Sequence, residues 1–297
     1  MIEKYSLFGI YKKHFSEKTF DQNLQQLNFF ATNNNIPKLK NDIILNKTYN
    51  GIFKTKINEY KYEINYYDVI ESNKTIIIFG YESDPDKYCI SVKIDRTEPD
   101  ILTIITIESL NQCYKTDDKF DIERKKGSVL IQIIIKWAKI NNYKKIYLDD
   151  ISTYKCDTEF QTIYYDMKHV HTLIDGYPWY YKFGFKFINK IDKSKVKSNY
   201  NKLKLIKTSD IKFTEIIVAI TKYTIDDSKY KYFSDKETIL NLYSLTTLYE
   251  SYYDSNIMDF FKEISRKSCI MMSLLWNYIF PILHLEKYET NKMVLNI

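Results

Sequence analysis

The stretch from Ser128 to Asn141 constrains this chain more than any other. It reads Ser-Val-Leu-Ile-Gln-Ile-Ile-Ile-Lys-Trp-Ala-Lys-Ile-Asn. Val129, Leu130, Ile133, Ile134, Trp137 and Ala138 recur at helical spacing, and Ile131, Ile135 and Ile140 widen the apolar face to most of the circumference. A helix so apolar must be buried, which predicts that it lies on a sheet. A run that is nearly all β-branched or Leu, Ile101–Leu110, precedes it. A second run, Lys145–Ile151, follows, with Ile146 and Leu148 on one side. Strand, loop, buried helix, strand is a crossover unit, and a crossover makes its two strands parallel.

The residues before it predict antiparallel pairing. Positions 51–70 alternate and read as one or two strands. Thr75–Tyr81 and Tyr88–Ile94 are strands around the turn residues Glu82-Ser83-Asp84-Pro85-Asp86. Glu98-Pro99-Asp100 turns the chain into Ile101–Leu110. The expected class is therefore α+β, a mixed sheet in which an antiparallel meander leads into a parallel crossover.

The ends read as helix. Phe20, Leu24, Leu27 and Phe30 or Ala31 share one face of a helix over 17–31, which Asn33-Asn34-Asn35-Ile36-Pro37 stops. Residues 152–174 read as a polar, aromatic insertion with a helical turn, and Phe185–Ile191 as a strand. Lys190–Lys204 is basic and polar and reads as a linker. Beyond Ser209, helical spacing covers Ile211–Tyr223, Ser234–Ser251 and Ser255–Leu285. Two parts follow: a mixed domain over 1–191, with its core at about 60–191, and a mainly helical extension over 192–297. That extension offers a substrate lid, a homodimer surface or a second domain.

Composition limits the function classes. Net charge is +6, with lysines and acids interspersed along the chain, a pattern of solvated surface rather than of nucleic-acid binding. The most apolar stretch, Cys269–Leu285, is broken by Asn277 and Pro281 and falls short of the roughly 20 apolar residues of a membrane span. No signal-peptide core opens the chain. Four dispersed cysteines form no C-x-x-C pair and read as reduced thiols of an intracellular, cytoplasmic protein. Heavy use of Lys, Ile, Asn and 28 Tyr points to an AT-rich genome, such as that of a large DNA virus or a protist. His169 and His171 form a His-x-His pair with no further ligand spaced nearby, so no metal is expected.

Two segments carry the chemistry. Arg124-Lys125-Lys126-Gly127-Ser128-Val129 opens the buried helix and predicts a phosphate cradle. Backbone N–H groups and the helix dipole bind the anion, the cations add charge, Gly127 allows close approach and Ser128 caps the helix. The spacing is neither that of a P-loop nor that of a dinucleotide fold. About fifty residues later comes Tyr177-Pro178-Trp179-Tyr180-Tyr181-Lys182-Phe183-Gly184-Phe185. Pro178 suits the start of a short helix and Gly184 a left-handed stop.

In this order the two segments resemble the GNAT superfamily of N-acetyltransferases. Arg124–Val129 resembles its R/Q-x-x-G-x-G/A motif, with Val129 in place of the usual small residue. Tyr180–Phe185 resembles its late Tyr-x-x-x-Gly-Phe motif, and the likeness covers about 60–191. The resemblance implies a GNAT-like sheet and acetyl-CoA as co-substrate, with the pyrophosphate on residues 124–129. It places the pantetheine in a splay between the strands at 101–110 and 145–151. The thioester carbonyl would rest on a backbone N–H around Ile107–Ser109. An acceptor amine (protein, polyamine or amino sugar) attacks directly. Tyr180 is the implied general acid and Glu108 the implied base, with Asp149 and Asp150 as alternatives. A catalytically inactive binding protein of the same fold is the second reading, and a nucleic-acid-associated factor the third.

Overall fold

The computed structural model describes residues 47–70, 74–80, 88–108, 113–118, 126–157, 162–218 and 235–297. The expected helix at 17–31 and the turn at 82–86 lie outside them. Five strands form the meander: β1 (Lys47–Ile57), β2 (Tyr60–Ile70), β3 (Lys74–Gly80), β4 (Tyr88–Asp95) and β5 (Ile101–Ile107), each antiparallel to the next. A two-residue strand, β6 (Lys115–Thr116), pairs with β2. Helix α1 (Lys126–Ile140) crosses to β7 (Lys145–Asp149), which is parallel to β5, as the crossover pattern predicts. Leu102, Ile104, Ile146 and Leu148 meet the buried side of α1, where Leu130, Ile133, Ile134, Trp137 and Ala138 lie. The class is α+β, with a large, mostly antiparallel sheet.

Three regions depart from the expectation. Residues 152–174 hold a separate hairpin, β8 (Thr153–Asp157) and β9 (Thr162–Asp166), and a full helix, α2 (Met167–Asp175). The strand expected over Phe185–Ile191 is only β10 (Lys186–Phe187), and the expected linker at 190–204 is helix α3 (Lys190–Leu203). Its buried stripe is Asp192, Val196, Asn199 and Leu203. Half of that stripe is polar, so the helical period does not show as hydrophobicity. The polar members are satisfied: Asp192 accepts from the Glu289 and Thr290 N–H groups at 2.9 Å each, and Asn199 both accepts from and donates to the Glu286 backbone.

The helical region continues through 213–218, α4 (Asp235–Ser251), α5 (Ile257–Lys267) and α6 (Cys269–Ile282). Ser268 divides the expected Ser255–Leu285 helix, capping α6 by accepting from the Met271 N–H. These helices and α2 surround a second apolar core containing Val170, Leu173, Phe260, Phe261, Leu275 and Phe280. The chain then returns to the first core. Strand β11 (Lys292–Asn296) enters the sheet between β7 and β10, antiparallel to both, so the path reads β1-β2-β3-β4-β5-β7-β11-β10. The helical stretch after 191 therefore lies between two strands that are neighbours in one sheet.

All four cysteines are paired, which corrects the reduced state expected from their spacing. Cys89 bonds Cys113, and Cys156 bonds Cys269, across 24 and 113 residues. Spacing along the chain carries no information about approach in space, and folding brings the Cα atoms to 5.7 and 5.8 Å, within the range a disulfide needs. Among the described residues no helix is long and apolar enough to cross a membrane.

Candidate active site

Helix α1 begins at Lys126. The N–H groups of its first turn, residues 126–129, have no acceptor within the helix and point out of its N-terminus. Ser128 is the third helical residue rather than the cap. Val129 is 6% exposed and belongs to the sheet core, so its side chain packs inward and leaves the outer face of the first turn to Ser128. Ser128, Gln132 and Ile135, at helical spacing, line an open cleft of about 500 Å³ with Lys182 and Phe183. Arg124, Lys125 and Ser109 lie outside the described residues.

The aromatic segment forms a 3₁₀ turn, Trp179–Phe183. Gly184 ends it at φ 93°, its N–H donating to the Tyr181 carbonyl at 3.0 Å, the left-handed stop expected from the sequence. Pro178 sits one position before the turn. The turn packs against the start of α1: a Cβ on Gly127 would lie 3.6 Å from the Trp179 ring. Lys182 Nζ donates to Ser128 Oγ at 3.2 Å and stands 4.4 Å from the Trp179 ring centroid and 4.9 Å from that of Phe183. Burial lowers the proton affinity of the Lys182 amine, against the pull of Asp175. The fold thus joins two segments about fifty residues apart and places a cation beside the helix N-terminus. Lys182 was not singled out from the sequence; its signal is its position inside the quoted aromatic segment.

The two parallel strands part beside this turn. Their pairing runs from Ile101↔Lys145 to Ile104↔Leu148. At the next residue β5 bulges: Ser91 pairs with Thr106 and Val92 with Ile104, leaving Ile105 as the extra residue. A bulge bends and twists its strand, and so turns the end of β5 away from β7. The Glu108 N–H donates to the Cys89 carbonyl at 2.7 Å, toward β4. Successive N–H groups of a strand point to opposite edges, so the Ile107 N–H faces the gap. Glu108 itself is exposed at this strand end.

Tyr180 is 8% exposed and packs edge-on against Trp179 and Phe185. Ser152, which acts against the rise of its phenol, is beside it, and Ser152 Oγ donates to Asp150 Oδ1 at 2.5 Å. Burial first, and Asp150 second, push the phenol above its ordinary value, so Tyr180 stays protonated. Asp150 follows the end of β7, is 2% exposed and keeps Oδ2 without a hydrogen-bond partner. Burial, opposed by the Ser152 hydrogen bond and the Lys168 charge and helped by the Asp166 charge, raises its carboxyl to about 6. Asp149 ends the same strand with its side chain outward.

The two histidines diverge. His169 stacks between Trp276 and Tyr288, with Nδ1 3.0 Å from Asp166 Oδ2. His171 faces Tyr154 and Asp175 instead. Among the described residues no three His, Cys, Asp or Glu groups converge as metal ligands. No protein-family model, curated protein or solved structure is significantly similar to this chain.

Proposed function

We propose that this chain is an acyl-CoA-dependent N-acyltransferase of GNAT-like fold that moves an acetyl group from acetyl-CoA to an amine. The observation that carries the reading is the contact of Lys182 with Ser128 at the start of α1, beside the point where β5 leaves β7. It unites the two segments on which the resemblance rests. In this reading the first-turn N–H groups of α1 and the Lys182 amine hold the pyrophosphate, and Arg124 and Lys125 add charge. The Ile107 N–H supports the thioester carbonyl as it gains negative charge. Tyr180, kept protonated by burial, gives its proton to the leaving thiolate, with Trp179 and Phe185 holding its ring edge-on. Glu108, which the sequence offers as a base, stands exposed at the end of β5 and is left without a role in this reading.

Calorimetry and thermal shift with acetyl-CoA test the donor site. Binding should weaken about tenfold in Lys182→Ala, the scale of one charge-assisted contact. Tyr180→Phe should bind acetyl-CoA normally and lose roughly 10²- to 10⁴-fold in turnover. No heat and no shift at millimolar acetyl-CoA would sink the reading. Burial of Tyr180 favours a second reading, a binding protein of this fold without catalysis. Binding of acetyl-CoA with no transfer to any amine would select it.

A further inference from the structure

The hairpin and helix between β7 and the 3₁₀ turn carry a hydrogen-bonded series that the roles above do not use. Tyr154 Oη lies 2.7 Å from His171 Nε2, and His171 Nδ1 lies 2.6 Å from Asp175 Oδ2. The Asp175 carboxylate accepts from Nδ1–H, which fixes the tautomer and leaves Nε2 as the acceptor for the Tyr154 hydroxyl. A polar group, an imidazole base and a carboxylate that orients the base make an acid–base relay. We propose that Tyr154, His171 and Asp175 form the general base that takes the proton from the acceptor amine, a primary amine that arrives as ammonium. This rests on the acyltransferase reading and supplies the base of its reaction.

Position supports the assignment. Tyr154 lies on β8, two residues after Ser152, the residue that borders Tyr180. His171 is 6.4 Å, ring to ring, from Trp179, whose ring touches Tyr180 and is covered by the Lys182 amine. Environment fits as well. Burial lowers His171, against Asp175, so the imidazole is neutral and ready to accept. Burial raises Tyr154, so it passes a proton without standing as phenolate. The titratable groups facing the relay are Asp175 on α2, Tyr165 on β9 and Lys182 on the 3₁₀ turn.

The proton balance closes. The ammonium first gives one proton to Tyr154 Oη as the Tyr154 proton moves to His171 Nε2; Asp175 stabilises the imidazolium, which releases that proton to solvent. The free amine then attacks the acyl carbon, and the C–S bond breaks as the C–N bond forms. Tyr180 protonates the departing thiolate, and the second proton shed by the nitrogen returns through water to the Tyr180 phenolate, so one proton is released overall.

The test measures thiol release from acetyl-CoA by the full chain, with spermidine, glucosamine and a lysine peptide as acceptors, across pH. Wild-type kcat/KM should fall as pH drops and His171 protonates. Tyr154→Phe should lose about 10²-fold or more and the pH limb with it, while its acetyl-CoA thermal shift stays as in wild type. An arylamine, unprotonated at assay pH, should recover most of that loss, which a merely structural role of Tyr154 would not allow. His171→Gln checks the same limb with a side chain that hydrogen-bonds but does not titrate there. If Glu108→Gln removes the limb and Tyr154→Phe does not, the relay is refuted while acyl transfer stands. If Tyr154→Phe loses its folded melt together with its rate, and His171→Gln keeps the limb, the relay is likewise refuted. If wild type transfers to none of the acceptors, the acyltransferase reading fails and takes the relay with it.

Discussion

Replacing Asp192 by Ala should cost about 3 kcal/mol of stability. Asp192 is fully buried on α3, and its carboxylate accepts three hydrogen bonds, from the Glu289 and Thr290 N–H groups and from Thr290 Oγ1, at 2.9, 2.9 and 2.8 Å. These bonds pin the segment that delivers β11 to the sheet. An unsatisfied buried donor costs about 1–3 kcal/mol. Glu289 is more than half exposed, so water reaches this rim and the lower figure applies to each of the three donors. Lys195 Nζ, 3.8 Å from Oδ1, keeps its second partner, Glu289, and adds little. Three donors at about 1 kcal/mol each give about 3 kcal/mol. For a unit of this size that lowers Tm by roughly 6–12 °C. Urea unfolding of wild type, Asp192→Ala and Asp192→Asn at one pH is the assay. Asn retains one acceptor and should lose about half as much. A loss under about 1 kcal/mol in the alanine variant would show that the 286–290 segment is held by packing instead, and would refute the reasoning.

Asp150 carries a pH signature. Its carboxyl holds a proton to about 6 in the fold against an ordinary 3.8, so the folded state binds more protons between those values. The stability that Asp150 contributes is therefore fully present below about pH 4 and is lost, by up to about 3 kcal/mol, as pH rises through 6. Asp150→Asn should lose that slope and be the more stable protein at pH 7 in urea titrations, and an unchanged slope would contradict the assignment. Serine at Cys156 and Cys269, or at Cys89 and Cys113, should each lower stability by about 2–4 kcal/mol, more for the 113-residue link than for the 24-residue one. Mass spectrometry of the alkylated, unreduced chain should find no free thiol. A chain ending at residue 191 lacks β11 and leaves the edges of β7 and β10 unpaired, so it should aggregate on gel filtration; a folded monomer would show that the sheet closes without it.

What the sequence discloses depends on how local the cause is. The α1 crossover was legible because burial of that helix leaves no polar face to hide the period, and the meander because its turns and β-branched runs are adjacent. Gly184 was legible because a left-handed stop is a property of one residue. β11 was not, since Lys292–Asn296 is a strand only through pairing with β7 and β10, both over a hundred residues earlier. Nor was α3, whose buried Asp192 and Asn199 find their partners near residues 286–290. At the site, the start of α1 and the aromatic segment stood out in the sequence, and their contact did not. Lys182 looks like any other lysine in a Lys-rich chain until Trp179 and Ser128 appear beside it. Tyr154 is likewise one of 28 tyrosines until His171 and Asp175 are seen on the helix that faces it.

The two cores meet at the 3₁₀ turn, and in the proposed site this separates the donor groups from the acceptor groups. Trp179 and Tyr180 belong to the sheet core, with α1 and the parting strands. Tyr154, Val170 and Leu173 belong to the helical core, with the hairpin and α2. The groups assigned to the donor, the α1 N-terminus, Ile107 and Tyr180, are therefore fixed by the sheet. The groups assigned to the acceptor, Tyr154 and its relay, are fixed by elements that the helical region supports. The Cys156–Cys269 bond fastens that hairpin to α6, and Asp192 and Asn199 fasten α3 to the segment that leads into the strand re-entering the sheet. Each half is held by its own core, and the distance between acid and base is set by the few residues, Ser152 to Tyr154 and Asp175 to Trp179, that run between them.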